Sequence, residues 1–157
     1  LVGHALVSSR LDYANSILYG SPKSQIAKLQ SQQNALARVV LKASSGSARP
    51  LLQELHWLPM ASRIEFKIAA LTYKVLDSGL PSYLSSQLSH YHPARELRSS
   101  SSNLLAQPYL STKFGSLAFK SCAPKIWNEL PLEVKSAQSL QTFKSRLKTH
   151  YFRKPLA

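Results

Sequence analysis

Apolar side chains recur at helical spacing along most of the chain, whereas the alternation that is typical of strands is rare. Near the start, Val2, Leu6, Tyr13 and Ile17 fall on one face of a helix, and Gly20 supplies a left-handed residue that ends it. The pattern predicts a mainly α protein with at most a short strand or hairpin. Because the chain starts as a helix already under way, we expect it to be part of a longer protein.

A second helix is predicted from about Pro22 to Lys42, and the short connection before it requires two antiparallel helices. Gln33 lies in the apolar stripe of this helix. A buried amide needs hydrogen-bond partners, so we expect Gln33 to bond to a neighbouring backbone group. Asn34, Arg38 and Lys42 recur every four residues and form a polar line on another face.

A third long helix surrounds a capping-box pattern at Ser62 and Glu65, is predicted to run to about Asp77, and is ended by Gly79. It carries two apolar faces, which predicts burial on two sides. The first face holds Ile64, Ile68, Leu71 and Val75, and the second holds Phe66, Ala69, Tyr73 and Leu76. The narrow strip that remains is basic and carries no acid, and it consists of Arg63, Lys67 and Lys74.

The segment 90–103 is rich in serine and lacks apolar periodicity, so it is the predicted linker between two units. Residues 1–89 would form an antiparallel, thumb-like helical unit, and residues 104–157 a smaller one. We expect the first proteolytic cuts between Arg95 and Asn103. The second unit is predicted to contain an extended segment at 104–110 and helices at 115–122, 124–129 and about 140–152.

The net charge of the chain indicates a polyanion as its partner. The chain has 157 residues, with 20 Lys and Arg against 7 Asp and Glu, a net charge of +13. Such an excess favours RNA, DNA or an anionic membrane surface as partner. The candidate phosphate-binding residues are the strip Arg63, Lys67 and Lys74, the pair Arg38 and Lys42, and the pair Lys144 and Lys148 of the last helix. The alternative is that these are solvated faces that keep the helices soluble.

Catalytic chemistry is not indicated. The acidic residues are scattered, and no nucleophile, phosphate-binding or metalloenzyme motif occurs. We therefore expect neither cofactor nor metal, and interpret His90 and His92 as exposed rather than as ligands. Cys122 is the sole cysteine, which fits a reducing, intracellular compartment and a packing role. Trp57 and Trp127 lie beside Leu-Pro corners, which favours core packing over base stacking.

Several stretches are similar to the region near the C-terminus of jockey-like non-LTR (LINE-type) retrotransposon reverse transcriptases. They occur in order and span nearly the whole chain: SRLDYANSILYG at 9–20, ELHWLP at 54–59, PSYL at 81–84, LRSS at 97–100 and APKIWN at 123–128. Shorter matches lie at 28–38, 63–68, 130–131 and 143–148. The cysteine that is usual in the first stretch is Ala14 here.

The resemblance implies a region that follows the palm of an RNA-directed DNA polymerase, comprising thumb-like helices and a C-terminal extension. The polymerase aspartates would lie upstream, so this chain, a cut-out or a decayed genomic copy, would bind a template–primer duplex without polymerising. Its implied partners are RNA or DNA and the upstream palm, with no membrane. The alternative is a helical protein-interaction scaffold that makes no contact with nucleic acid.

Overall fold

The computed structural model describes residues 2–44, 46–92 and 103–154, and these residues are mainly helical, as predicted. In chain order the elements are α1 (Val2–Asp12), a 3₁₀ turn (Asn15–Leu18), α2 (Lys23–Leu41), α3 (Ala48–Glu54), α4 (Met60–Ser78), α5 (Ser82–Ser85), α6 (Lys113–Leu117), α7 (Phe119–Glu129), α8 (Leu132–Lys135) and α9 (Leu140–Arg153). Within these ranges there is no strand, and none of the helices has the length and apolar character needed to cross a membrane.

The described residues divide into two compact units. The first contains residues 2–65, without residue 45, and 150–154, whereas the second contains residues 66–92 and 103–149. The described residues on the two sides of the linker predicted at 90–103 belong to the second unit. Its flanks are hydrogen-bonded to each other, because Tyr91 N donates to Leu104 O at 2.9 Å and Ala106 N donates to Ser89 O at 2.8 Å. Residues 93–102, where we predict proteolysis, lie outside the described residues.

The first helix is shorter than its apolar pattern predicts. It ends at Asp12, and Ala14 adopts a left-handed conformation (φ 49°) before the 3₁₀ turn. The prediction of one helix that continues to Tyr19 is therefore wrong, and Tyr13 and Ile17, which the pattern places on its apolar face, are 84% and 79% exposed. The 3₁₀ turn instead buries Asn15, which is 3% exposed. A turn with three residues per repeat redirects side chains that 3.6-residue spacing would align.

Two glutamines connect α2 to the start of α4. Gln33 is 1% exposed, and its Nε2 donates to Leu58 O at 2.9 Å, which confirms the expected bond to a backbone group. Gln30 Oε1 accepts from Met60 N at 2.8 Å, at the first residue of α4. The helix therefore begins before the capping box at Ser62, because a side chain distant in sequence satisfies its first N–H group.

The corner after α3 is a Schellman turn. His56 takes the left-handed position (φ 53°), His56 N donates to Gln53 O at 3.0 Å, and Trp57 N donates to Leu52 O at 2.8 Å. These two bonds satisfy carbonyls that the helix end leaves unpaired. They also fix the backbone of Trp57 relative to α3.

The core of the second unit is a stack of three aromatic rings. Phe143 is 0% exposed and lies 4.5 Å from the Tyr73 ring and 5.9 Å from the Trp127 ring, measured between centroids. Tyr73 Oη donates to Ala137 O at 2.8 Å, so its polar end is also satisfied. The inward faces predicted for α4 and α9 supply this stack, and core packing is confirmed for Trp127, which is 1% exposed.

Helix α7 differs from its prediction, because it runs through Pro124 without a break. The break falls at Ala118, whose extended backbone (φ −63°, ψ 152°) separates α6 from α7. Pro124 lacks an N–H group and so removes one helical hydrogen bond, but it is fully buried, and its packing offsets that loss. At the end of the helix, Asn128 accepts from Leu105 N at 2.9 Å and donates to Leu105 O at 2.8 Å, which holds the extended segment against α7.

Candidate nucleic-acid interface

Lys67 and Lys74 project to solvent from one face of α4. Seven residues of helix turn through nearly two full circles, so the two side chains lie within about 20° of each other and about 10 Å apart along the axis. Both are exposed, and neither forms an ion pair with an acidic residue in the described part of the chain. The neighbouring positions Ile68, Val75 and Tyr73 are buried, so the helix holds the lysines at a fixed spacing.

Arg63, the third member of the predicted strip, is not a free basic group. Its Nε donates to Asp12 Oδ1 at 2.9 Å and an Nη donates to Asp12 Oδ2 at 2.6 Å, in a bidentate pair. Only 16% of the Arg63 side chain is exposed. The expectation that no acid accompanies the strip is therefore wrong at this position, because a phosphate would have to displace the Asp12 carboxylate.

Arg38 and Lys42 do not continue one polar line along α2. An Nη of Arg38 donates to Gly46 O at 3.3 Å, so this guanidinium is directed to the following loop. Lys42 lies beyond the last helical residue in a left-handed conformation (φ 52°), where Ala43 N donates to Arg38 O at 3.0 Å. The spacing of four fails there because Lys42 no longer follows the helical rotation. Its side chain is nevertheless exposed.

Lys144 and Lys148 share one face of α9, where four residues of rotation separate them by about 40°. Lys148 is exposed and Lys144 is half-buried. Ser139 Oγ accepts from Thr142 N at 3.1 Å and caps the start of this helix. The structure thus gives two lysine pairs within the second unit, Lys67 with Lys74 and Lys144 with Lys148.

Sequence reasoning missed a shallow groove in the first unit. Arg49, Trp57, Phe152 and Lys154 line it, and Trp57 is half-buried there, unlike Trp127 in the other unit. The pattern of the sequence does not bring these residues together, because α3 and the corner directly after it are far from the end of α9 along the chain. The basic end of α9 at Arg153 and Lys154 was the one available signal.

The predicted absence of metal and thiol sites concerns the histidines, the acidic residues and Cys122. The described residues contain no group of three or more His, Cys, Asp and Glu side chains that would hold a metal ion, and His90 and His92 are exposed. Cys122 is 4% exposed, which fits the predicted packing role. Burial raises the pKa of its thiol, although backbone hydrogen bonds act in the opposite direction, so the reactive thiolate is disfavoured.

Comparison of the chain with protein-family models, curated proteins and solved structures gave no match. The site is consequently defined by its own side chains: exposed lysines spaced along rigid helices, and an aromatic groove with basic walls. Both arrangements suit a negatively charged partner.

Proposed function

We propose that this chain is a non-catalytic nucleic-acid-binding module, similar to the post-palm region of a jockey-like non-LTR retrotransposon reverse transcriptase. Its partners are a template–primer duplex of RNA and DNA and the upstream palm of the parent polymerase. In this proposal the module acts inside the cell and holds the duplex, while polymerisation belongs to the palm.

The observation that carries the proposal is the pair of exposed lysines on α4. Lys67 and Lys74 extend from one exposed face of α4, and they form no ion pair in the described residues. The 7 acidic side chains of the chain are too few to neutralise its 20 basic ones. A surface of this kind attracts phosphates regardless of base sequence.

The geometry of α4 suits contact with two separate phosphates. The two lysines leave the helix about 10 Å apart along its axis, and their flexible side chains can reach two neighbouring phosphates of one strand. Each contact releases counterions condensed on the nucleic acid, which makes binding weaken as salt rises. The resemblance in sequence supports the same partner, since the thumb of a polymerase holds its duplex through the phosphate backbone.

A salt titration on an RNA–DNA duplex tests the proposal. The double variant Lys67→Glu/Lys74→Glu is expected to bind more weakly to every duplex sequence, with a salt slope flatter by up to about 0.9 log units per lost contact. Circular dichroism should show an intact fold, because exposed charge changes usually alter stability by only about 0.5 kcal/mol each.

The matched control is Lys23→Glu/Lys28→Glu, which makes the same charge change at two exposed lysines of α2. This control should retain most of the wild-type slope. An equal loss in both double variants would attribute binding to net charge alone, and an unchanged slope in the folded α4 variant would overturn the proposal.

A protein-interaction scaffold is the second candidate, and exposed apolar side chains favour it. Tyr13, Ile17 and Val39 are 84%, 79% and 74% exposed, which is unusual for large apolar residues. Under this alternative the lysines keep the helices soluble, and duplex binding at physiological salt would be absent. The same titration therefore separates the two functions.

A further inference from the structure

The groove near Trp57 joins a small aromatic depression to a larger cavity beside it. The depression encloses only about 20 Å³, and Trp57, Phe152 and Lys154 lie along it. The cavity encloses about 260 Å³, and Asn34 lies along its wall. Arg49 lines both, so the two form one continuous surface, which we call the Trp57 groove.

The aromatic part of this groove is preorganised. The Schellman turn after α3 fixes the backbone of Trp57, and its side chain remains half-buried rather than enclosed. Phe152 is held edge-to-face against His56, with 6.4 Å between the ring centroids. Because the depression encloses only about 20 Å³, it is too small to enclose a base, so a planar group would lie over these rings. Little entropy would be lost in ordering the rings.

The charged part of the groove is complementary to an anion. Arg49 is exposed, and its guanidinium has no hydrogen bond or ion pair to any described residue. Lys154 lies 3.8 Å from Glu65 Oε2, and 47% of its side chain remains exposed. No acidic residue lines the depression or the cavity. Arginine presents a planar fork of donors that matches a phosphate.

The larger cavity adds a hydrogen-bond donor. Gln30 Nε2 donates to Asn34 Oδ1 at 2.8 Å and to Gln33 Oε1 at 3.0 Å, and Gln30 Oε1 accepts from Met60 N. Both polar atoms of the Gln30 side chain therefore already have hydrogen-bond partners. The Nδ2 group of Asn34 has no partner in the described residues, so it is available to a group that enters the cavity.

We propose that the Trp57 groove binds single-stranded nucleic acid, with an unpaired base stacked on Trp57 and a neighbouring phosphate held by Arg49. In a duplex the faces of the bases are covered by their neighbours, so only an unpaired base presents a ring face to Trp57. This inference rests on the proposed function, since it takes nucleic acid as the partner. It adds a second site, in the first unit, for the strand outside the duplex.

The test compares two labelled strands that have the same phosphates: an oligothymidylate of about 12 nucleotides and its abasic counterpart. The wild-type chain of 157 residues is expected to bind the thymidylate about tenfold more tightly than the abasic strand, since stacking contributes about 1–3 kcal/mol per base. The Trp57→Leu variant should lose this preference, whereas Trp57→Phe should keep part of it, because phenylalanine also stacks. Equal binding of both strands by the wild type, or a preference that persists in folded Trp57→Leu, would overturn the proposal.

The phosphate contact is tested with Arg49→Gln against Arg153→Gln. Both arginines are exposed residues of the first unit, but Arg153 does not line the groove. The Arg49 variant should weaken binding of both strands about tenfold, as expected for one charge-assisted contact. The Arg153 variant should stay within about twofold. Equal effects of the two variants would overturn the assignment of Arg49.

The intrinsic fluorescence of tryptophan measures the stacking of a base on Trp57 without a label. The chain has two tryptophans, and Trp127 is 1% exposed, so quenching by the thymidylate strand must come from Trp57. Saturable quenching is expected at the concentrations where the strand binds, and binding without quenching would contradict the stacking.

The outcomes of these tests and of the duplex titration are distinguishable. Normal duplex binding through Lys67 and Lys74, without a preference for bases over abasic sites, would reject the groove alone. Absence of binding to both duplex and single strand would reject the proposed function as well. Tighter binding of an oligoglutamate peptide that depends on Trp57 and Arg49 would overturn the inference in favour of a peptide site.

Discussion

Lys135 is the one buried lysine among the described residues, at 6% exposed. Its Nζ donates to Asn128 O, but at 3.4 Å this bond is long for a charged group. Burial lowers the pKa of Lys135 from its ordinary value of 10.5. Below the folded-state pKa, both the folded and the unfolded chain carry the proton, so the full cost of the buried ammonium is present at neutral pH.

This cost should fall as pH rises. Between the lowered pKa of the folded state and 10.5, the unfolded chain binds more protons than the folded one, so wild-type stability rises with pH in that window. We expect Lys135→Met to increase the free energy of unfolding at pH 7 by roughly 0.5–1 kcal/mol. The gain should shrink toward pH 10.5. Urea denaturation at pH 7 and pH 10 measures both effects.

The control for this prediction is Lys125→Met, which removes an exposed lysine of α7 in the same unit. It should leave stability nearly unchanged at both pH values. A loss of stability in Lys135→Met would mean that the bond to Asn128 outweighs the desolvation of the ammonium.

Arg63 was predicted to contact phosphate, and the structure instead pairs it with an acidic residue. Its spacing from Lys67 and Lys74 predicts a shared basic strip, and that alignment on α4 holds. The Arg63 guanidinium nevertheless donates two hydrogen bonds to the carboxylate of Asp12, which is 51 residues away in sequence. The phosphate contacts predicted at Lys67 and Lys74 do not depend on Arg63.

At the scale of elements, the end of α2 offers a test that separates charge from folding. Lys42 adopts φ 52°, where a side chain with a Cβ costs about 1 kcal/mol relative to glycine. Lys42→Gly is therefore expected to raise the free energy of unfolding by up to about 1 kcal/mol while it removes an ammonium group. Thermal or urea denaturation measures the change.

The same variant tests whether Lys42 contacts phosphate. If it does, a more stable protein should bind an RNA–DNA duplex more weakly, a combination that loss of fold does not produce. Unchanged affinity together with higher stability would leave Lys42 as a residue of the helix end alone. Lys42→Gln is the companion variant, since it removes the charge and keeps the strained backbone.

For the whole molecule, the prediction from its residues is that it catalyses no polymerase or nuclease reaction. Two-metal chemistry needs a cluster of carboxylates, and the described residues contain no group of three or more His, Cys, Asp and Glu side chains that could hold a metal ion. Primer extension and nuclease assays of the full chain with magnesium or manganese should show no turnover. Activity that copurifies with the folded chain would contradict this expectation, and the Lys67→Glu/Lys74→Glu preparation serves as a control for contaminants.

The predicted division at 90–103 stays a prediction, because residues 93–102 lie outside the described part of the chain. The serine-rich segment at 90–103 suggested a boundary by composition, but its flanks pair through Leu104 and Tyr91, and both belong to one compact unit. Composition reports how readily a segment packs. It carries no information on whether the chain returns to the same unit after it.

The sequence by itself determined the mainly α class, the buried faces of α4 and α9, the burial of Gln33 and the packing role of Trp127. These features follow from the period of apolar residues, which is set within a few turns of helix and needs no knowledge of the chain path. The basic character of the surface was equally visible, because net charge is a sum over residues and does not depend on fold.

Only the tertiary structure decided where α4 begins, which basic side chains pair with an acidic residue, and that Trp57 lines a groove. In each case the decisive partner is remote in sequence: Gln30 for Met60, Asp12 for Arg63, and the end of α9 for Trp57. Hydrogen bonds and ion pairs act over a few ångströms, so they form only where packing brings distant segments together. Helical periodicity fixes which side of a helix is apolar, and it leaves open which other helix that side meets.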